Sequence, residues 1–184
     1  NIESQLHWIP QHEWEYSLDF KAEDYILRED VIELVFEGLD TYADVWMNGK
    51  KILHADNMFR TYSYDVKDVI KEKNNIKIKF YPFDKERDSL IETYRLKFPE
   101  KYAVMRKAAY QNGWDWAPRY MNMGIWQPVY IKAWTRSTIC SASVITNEIH
   151  DDKADLFFEA CINADVEHDI TLQLFQENEK ILDK

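Results

Sequence analysis

Apolar and polar residues alternate along much of the chain, with the two-residue period of β-strands that bury one face. Segments with this pattern lie at residues 14–20, 43–47, 61–66, 75–80 and 129–134. Residues 31–37 are more continuously apolar, as expected of a more deeply buried strand. Asn48-Gly49 stands between residues 43–47 and 51–53 and predicts a hairpin with a two-residue turn. The pattern therefore predicts a predominantly β domain.

Two regions depart from this pattern. In residues 84–109 the apolar Leu90, Ile91 and Tyr94 are at helical spacing among charged residues, which predicts an irregular insertion with one short helix. After Trp134 three further β-like segments follow, at residues 139–146, 153–162 and 169–176. Three strands cannot cover the inner faces of a sandwich, so we expect the chain to be a fragment that ends within a second β module.

Composition narrows the possible partners. The 184 residues carry a formal net charge of −10, which disfavours nonspecific binding to nucleic acid or to an anionic membrane surface, because the phosphates would be repelled. No apolar run is as long as a membrane span. Aromatic residues make up 15% of the chain, which suits β cores and binding surfaces alike. An uncharged ligand is indifferent to this charge.

No metal or cofactor site is predicted. The two cysteines, Cys140 and Cys161, have no CxxC or zinc-like spacing, and the histidines are scattered. Neither a GxSxG nucleophile motif nor a glycine-rich phosphate loop is present. A disulfide and two free buried thiols both stay open, so the sequence leaves the cellular compartment undetermined.

The residues that suggest a function lie in the run RKAAYQNGWDWAPR, residues 106–119. At its centre Trp114 and Trp116 flank Asp115. Indole rings stack on the apolar C–H faces of sugars, and a carboxylate accepts hydrogen bonds from sugar hydroxyl groups. A carbohydrate contact is therefore one interpretation of the triplet. The other is a structural corner, with both indoles in the core and Asp115 capping a turn.

Basic residues flank the triplet, and their role stays open. Arg106, Lys107 and Arg119 could orient the Asp115 carboxylate through charge-assisted hydrogen bonds, or they could be ordinary surface cations. Glycosidic hydrolysis needs two carboxyl groups, one on each side of the bond, and Asp115 is a single candidate, so no catalytic pair is predicted. Residues 56–60, Asp-Asn-Met-Phe-Arg, are interpreted as a turn followed by a core anchor.

Four longer motifs cover most of the first 134 residues. They are NIESQLHWIPQHEWEYSLDF at 1–20, LVFEGLDTYADVWMNGKKI at 34–52, DNMFRTYSYDV at 56–66 and RKAAYQNGWDWAPRYMNMGIWQPVYIKAW at 106–134. In their order and spacing they resemble the N-terminal domain of β-mannosidases of glycoside hydrolase family 2. The LDTYADVWMNGK phrase is common in family 2, whereas the GWDW phrase with its Pro-Arg favours β-mannosidase over β-galactosidase or β-glucuronidase.

The resemblance implies an all-β architecture. Residues 1–135 would form a jelly-roll β-sandwich similar to galactose-binding domains and lacking its N-terminal strand. Residues 136–184 would form the first strands of an immunoglobulin-like β-sandwich. In the family a TIM barrel with the catalytic acid and nucleophile follows, so the fragment is expected to be inactive alone, with its first domain packing on the missing barrel.

The resemblance also implies a role for the triplet. Trp114, Asp115 and Trp116 match, residue for residue, a family loop that reaches the barrel mouth and contacts the sugar. Asp115 would hydrogen-bond mannose hydroxyls, and an indole would supply an apolar wall. The family commonly has glycine where this chain has Ala117, and alanine would be strained there if the backbone needed a positive φ.

The expected function is that of the non-catalytic N-terminal part of a retaining β-mannosidase, which removes terminal β-linked mannose. Two alternatives remain. A fragment of an endo-β-mannosidase acting on N-glycans would share the motifs. A free-standing carbohydrate-binding module would bind sugar without the barrel.

Overall fold

The computed structural model describes residues 2–95, 97 and 101–183, and the chain divides into two compact units, Asn1–Ala133 and Trp134–Lys184. The helices and strands of the first unit are, in chain order, α1 (Ile2–Leu6), β1 (Trp14–Lys21), α2 (Asp24–Leu27), β2 (Val31–Phe36), β3 (Leu39–Asp40), β4 (Ala43–Met47), β5 (Lys50–Ala55), β6 (Tyr62–Asp65), β7 (Lys73–Phe80), α3 (Phe83–Tyr94), β8 (Gly124–Ile125) and β9 (Val129–Trp134). None of the described helices is long and apolar enough to cross a membrane.

Two larger sheets form the first unit. One has four antiparallel strands in the order β1-β7-β4-β5, and the other has three strands in the order β6-β2-β9. Strands β3 and β8 pair in a small sheet of their own. Residues of both larger sheets contribute to one apolar cluster, as in a β-sandwich.

The main core lies between these sheets. Leu34 and Phe36 of β2 pack in one cluster with Val45 of β4 and with Ile78 and Phe80 of β7. The alternation seen in the sequence places these side chains inward, and burial of each large apolar side chain contributes about 1.5–3 kcal/mol. The core therefore follows directly from the hydrophobic pattern.

A smaller apolar cluster lies beside the Trp-Asp-Trp loop. Tyr42 and Phe83 pack with Met105 and Met121, which lie on either side of the Trp-Asp-Trp segment in sequence. Phe83 is the first residue of α3, so the helix of the insertion packs against this smaller cluster through its first turn. The loop thus begins and ends on a packed apolar base.

Apolar side chains of the four-stranded sheet are partly exposed along β1. On β1, Tyr16 and Leu18 lie opposite the buried Ile78 and Ile76 of β7, yet 45% of Tyr16 and 61% of Leu18 is exposed. These four side chains line an apolar groove together with Ile125. The inner face of the four-stranded sheet is therefore only partly covered along β1.

The second unit consists of two antiparallel hairpins. Its strands are β10 (Ser137–Ile149), β11 (Ala154–Ala164), β12 (Gln173–Gln176) and β13 (Glu179–Asp183). β10 pairs with β11, and β12 pairs with β13. Large apolar side chains such as Val144 and Phe157 are exposed on the long hairpin.

The predicted strands are confirmed with small shifts at their ends, except that only Gln173–Gln176 of the predicted segment 169–176 form a strand. Asn48 and Gly49 form the predicted turn, with φ angles of 52° and 84°. The short helix predicted around residues 90–94 is longer than expected and spans Phe83–Tyr94. Residues 96 and 98–100 of the predicted insertion lie outside the described residues.

Candidate functional site

Trp114, Asp115 and Trp116 lie in a tight turn that its own backbone closes. The amide of Trp114 donates to the carbonyl of Ala117 at 3.1 Å, and the amide of Ala117 donates to the carbonyl of Trp114 at 3.2 Å. Asp115 and Trp116 are thus the two central residues of a hairpin turn. The two indole rings are 6.1 Å apart at an interplanar angle of 80°, an edge-to-face arrangement. The turn holds two mutually perpendicular indoles beside one carboxylate.

The tip of this turn is exposed. Trp114 is 61% exposed and Trp116 is 83% exposed. A structural corner with both indoles in the core would require both side chains to be buried. The aromatic area at this tip is therefore available for contact with something outside the first unit's own core.

The segment before the turn depends on a glycine. A short 3-10 turn at Ala109–Asn112 ends at Gly113, which has a φ of 92°, a conformation that disfavours any side chain. After the turn, Ala117 is not among the described non-glycine residues with positive φ, which are Asn48, Arg95, Arg136, Glu177 and Asn178. Alanine at position 117 therefore does not need a positive φ, and the strain considered from the sequence does not arise.

A buried polar network lies at the base of the loop. The Lys107 Nζ is 2.5 Å from Oδ1 of Asp40 and also donates to the carbonyl of Asn122. The Gln111 Nε2 donates to Oδ2 of Asp40 at 3.1 Å, and the Gln111 Oε1 accepts from the amide of Asn122 at 3.0 Å. The carboxylate of Asp40 on β3 is thereby connected to residues on both sides of the Trp-Asp-Trp turn.

Lys107 is a buried cation rather than a surface one. Its side chain is 0% exposed, and that of Asp40 is 4% exposed. Burial lowers the pKa of Lys107, and attraction to Asp40 opposes this shift. The Nζ also lies 5.4 Å from the ring centre of Phe83, within cation–π range. The possible partner that the sequence suggested for Asp115 is thus engaged with Asp40.

Arg106 and Arg119 lie on either side of the loop. Arg106 is exposed, and its backbone carbonyl accepts from the amide of Met58 at 2.9 Å. The Arg119 guanidinium lies 5.6 Å from the ring centre of Tyr102, and its Nη2 is 3.9 Å from Oδ1 of Asp84. Support of the Asp115 carboxylate by these residues stays a prediction.

Trp114 and Asp115 border a pocket of about 540 Å³. Its lining also includes Tyr102, Met105, Lys107 and Asn112. This volume lies in the range of small-ligand sites. The pocket combines an indole face, a carboxylate and an amide side chain, which together suit a ligand rich in hydroxyl groups.

Residues 56–60 contribute to the base of the loop rather than to its tip. The Met58 Sδ accepts from the amide of Ala108 at 3.0 Å, and the Met58 carbonyl accepts from Nε1 of Trp126 at 3.0 Å. Met58 is buried, whereas Phe59 is exposed. The predicted turn with a core anchor is confirmed, and the anchor is the methionine.

A second polar group, around Asp44 on β4, has no signal in the sequence. Its carboxylate accepts from Lys51 at 2.6 Å, lies 2.8 Å from Nδ1 of His54 and accepts from the Tyr81 hydroxyl at 3.0 Å. Burial alone would raise the pKa of Asp44, but the hydrogen bonds from these partners outweigh it and hold the pKa below its ordinary value. None of these partners belongs to the Trp-Asp-Trp loop.

The second unit has its own polar groups. His150 lies 3.6 Å from Glu148 and 3.7 Å from Asp155, and all three are exposed near the end of the β10–β11 hairpin. Exposed charges of this kind interact weakly. Cys140 and Cys161 are free thiols on neighbouring strands, and both are exposed, whereas the free-thiol alternative in the sequence had them buried.

The family follows from comparison with known proteins. Residues 1–127 match the family described as the glycosyl hydrolase 2 galactose-binding domain-like family, and the chain belongs to it. This confirms the resemblance and, with the sheets described above, the predicted β-sandwich class.

Several relatives of the chain are β-mannosidases. The β-mannosidase of Mus musculus is 32% identical over 140 residues, which are 69% of this chain and 16% of that protein. β-Mannosidase A of Emericella nidulans is 32% identical over 141 residues, or 70% of this chain and 15% of that protein. The crystal structure of β-D-mannosidase from Dictyoglomus thermophilum superposes with a TM-score of 0.80 at 30% identity, covering 88% of this chain and 20% of that one. The chain thus spans about one-sixth of the length of the curated relatives.

Proposed function

We propose that the chain is the non-catalytic N-terminal part of a retaining β-mannosidase that hydrolyses terminal β-linked mannose. The observation that carries this proposal is the exposed turn in which Trp114 and Trp116 flank Asp115 beside a pocket. Large exposed aromatic area next to an accepting carboxylate is suited to a sugar, which has apolar C–H faces and hydroxyl donors on one small molecule.

The domain limits belong to the same proposal. Residues 1–135 form the sugar-binding-like jelly roll, and residues 136–184 form part of an immunoglobulin-like domain. The partly covered inner face along β1, where Leu18 is 61% exposed, supports an additional strand in the complete sandwich. The similarity to β-mannosidases over 69% of this chain in sequence and 88% in structure supports the enzyme class.

The division of labour in the whole enzyme follows. The Trp-Asp-Trp turn forms one wall of the substrate pocket, with Asp115 accepting hydrogen bonds from mannose hydroxyls and an indole covering an apolar face. The catalytic acid and nucleophile lie on a TIM barrel, against which the first domain packs. Retaining hydrolysis needs two carboxyl groups about 5–5.5 Å apart, so the chain alone is inactive.

Substitution of Asp115 in the full-length enzyme tests the proposal. Asp115→Ala removes a carboxylate that contacts the sugar, and we expect kcat/KM for an aryl β-mannoside to fall by the equivalent of about 1–3 kcal/mol. The control is Asp68→Ala, which removes an exposed carboxylate from the turn after β6. Unchanged kinetics in both variants would contradict the substrate role.

A further inference from the structure

One buried carboxylate is linked to both ends of the Trp-Asp-Trp loop. Asp40 ends strand β3, and its side chain is almost fully buried. Its Oδ1 accepts from the Lys107 Nζ at 2.5 Å, and its Oδ2 accepts from the Gln111 Nε2 at 3.1 Å. Both carboxylate oxygens of Asp40 therefore accept hydrogen bonds from side chains that precede the turn.

The same two side chains hold the residue that follows the loop. The Asn122 carbonyl accepts from Lys107, and its amide donates to Gln111 at 3.0 Å. Both backbone polar groups of Asn122 are thus bound by partners of Asp40. Residues 113–121 lie between these attachments, so their path starts and ends at the Asp40 network.

Among the residues that the structure describes, no hydrogen bond of this kind joins the turn at residues 114–117 to the sandwich. Its two backbone hydrogen bonds, between Trp114 and Ala117, close the turn on itself. They fix the local shape without fixing where the turn stands on the sandwich. Hydrogen bonds in a buried network are stronger than in water, and a fully satisfied network rigidifies the segments it joins.

We propose that Asp40 is a positioning residue for the substrate: by holding Lys107 and Gln111, it fixes the Trp-Asp-Trp loop at the orientation in which Asp115 and the indoles meet the sugar. The effect on substrate rests on the proposed function. The fixing of the loop does not, and it is measurable on this chain without any ligand.

The first experiment compares Asp40→Asn with Asp44→Asn by amide hydrogen exchange on the 184-residue chain. Both variants neutralise a buried carboxylate of the first unit, but only Asp40 contacts the loop base. We expect exchange in residues 113–121 to rise roughly tenfold or more in Asp40→Asn over and above any rise in β7, which follows global stability, and we expect no such excess in Asp44→Asn. Equal loop exchange in the two variants would overturn the proposal.

The second experiment measures kinetics in the full-length enzyme. A merely structural role would lower the folded fraction and hence the apparent kcat, leaving KM unchanged. A positioning role raises KM, and we expect a rise of roughly tenfold for Asp40→Asn and none for Asp44→Asn. A looser loop with unchanged KM would overturn the link to substrate and count against the proposed function, while the fixing of the loop would stand.

Gln111→Met provides a milder variant if Asp40→Asn does not fold. It keeps the Lys107–Asp40 ion pair but removes the acceptor for the Asn122 amide. We expect faster exchange in residues 113–121 with protection elsewhere unchanged. Wild-type exchange in that segment would overturn the proposal.

Discussion

The base and the tip of the Trp-Asp-Trp loop differ in their exposure to solvent and in the pairing of their side chains. At the base, the side chain of Lys107 is 0% exposed, and its Nζ is paired with Asp40 and with the backbone carbonyl of Asn122. At the tip, Trp116 is 83% exposed. Fewer than ten residues separate Lys107 from Trp116 in sequence, so neighbouring residues of one loop have opposite environments.

This difference separates the role of the base in folding from the role in recognition that we propose for the tip. Changes at the base leave buried polar groups without partners and therefore affect the stability of the first unit. Substitutions at the tip remove exposed side-chain surface that does not pack in the described core. If recognition resides at the tip, activity and stability should respond to different residues of the same loop. Three measurements of the free energy of unfolding test this, and they follow from the largest expected loss to the smallest.

The largest stability effect is expected at the base. Lys107→Met leaves the Asp40 carboxylate buried without its cation, and we expect the free energy of unfolding to fall by about 3–5 kcal/mol. Urea unfolding followed by tryptophan fluorescence measures this, because every tryptophan except Trp134 lies in the first unit.

The matched control for that change is a surface lysine. Lys77 lies 3.6 Å from Glu15 in an exposed pair, and Lys77→Met should cost less than about 1 kcal/mol. Similar losses from Lys107→Met and Lys77→Met would show that the base is no more important than the surface, which would contradict the comparison.

An intermediate effect is expected at Asp44, and it depends on pH. The pKa of Asp44 is held below its ordinary value of 3.8, so the folded state binds this proton more weakly than the unfolded chain. Its contribution is present above that value and is lost as the pH falls from there through the lowered pKa. We expect Asp44→Asn to cost about 1 kcal/mol at neutral pH and less in acid. A cost that is equal in urea titrations at neutral and acidic pH would contradict this.

The smallest stability effect is expected at the tip. Trp116→Ala should change the free energy of unfolding by no more than about 0.5 kcal/mol, because the ring is mostly exposed. Phe80→Ala, in the core, is the aromatic control and should cost about 3–5 kcal/mol in the same urea titration. A large loss from Trp116→Ala would mean that the tip is structural after all.

Much of the fold could be predicted because strand signals are local. β1, β4 and β7 alternate over at least five residues, and the turn at Asn48-Gly49 needs positive φ that this pair adopts readily. The pairing of β3 with β8 could not be predicted, because each strand has only two residues and hence no period.

The candidate site, too, could be predicted from the sequence only in part. Trp114, Asp115 and Trp116 are candidates that the sequence suggests from their residue types alone. The partner of Lys107 could not be predicted, because Asp40 lies 67 residues away in sequence and only the folded chain brings the two together. Proximity in sequence suggested Asp115 instead. Residue type can suggest a candidate recognition surface, whereas the residues that support it depend on tertiary contacts.

The edge-to-face pair of Trp114 and Trp116 also has an optical consequence. Two indoles with ring centres 6.1 Å apart and planes at 80° are close enough for their electronic transitions to couple. Such coupling produces paired positive and negative bands in the far-ultraviolet circular dichroism spectrum, which single tryptophans do not show. Trp8 and Trp14, with ring centres 5.7 Å apart, contribute a coupled pair of their own, so the difference between the spectra of the unchanged chain and Trp116→Ala reports the arrangement of the loop tip without a label or a ligand.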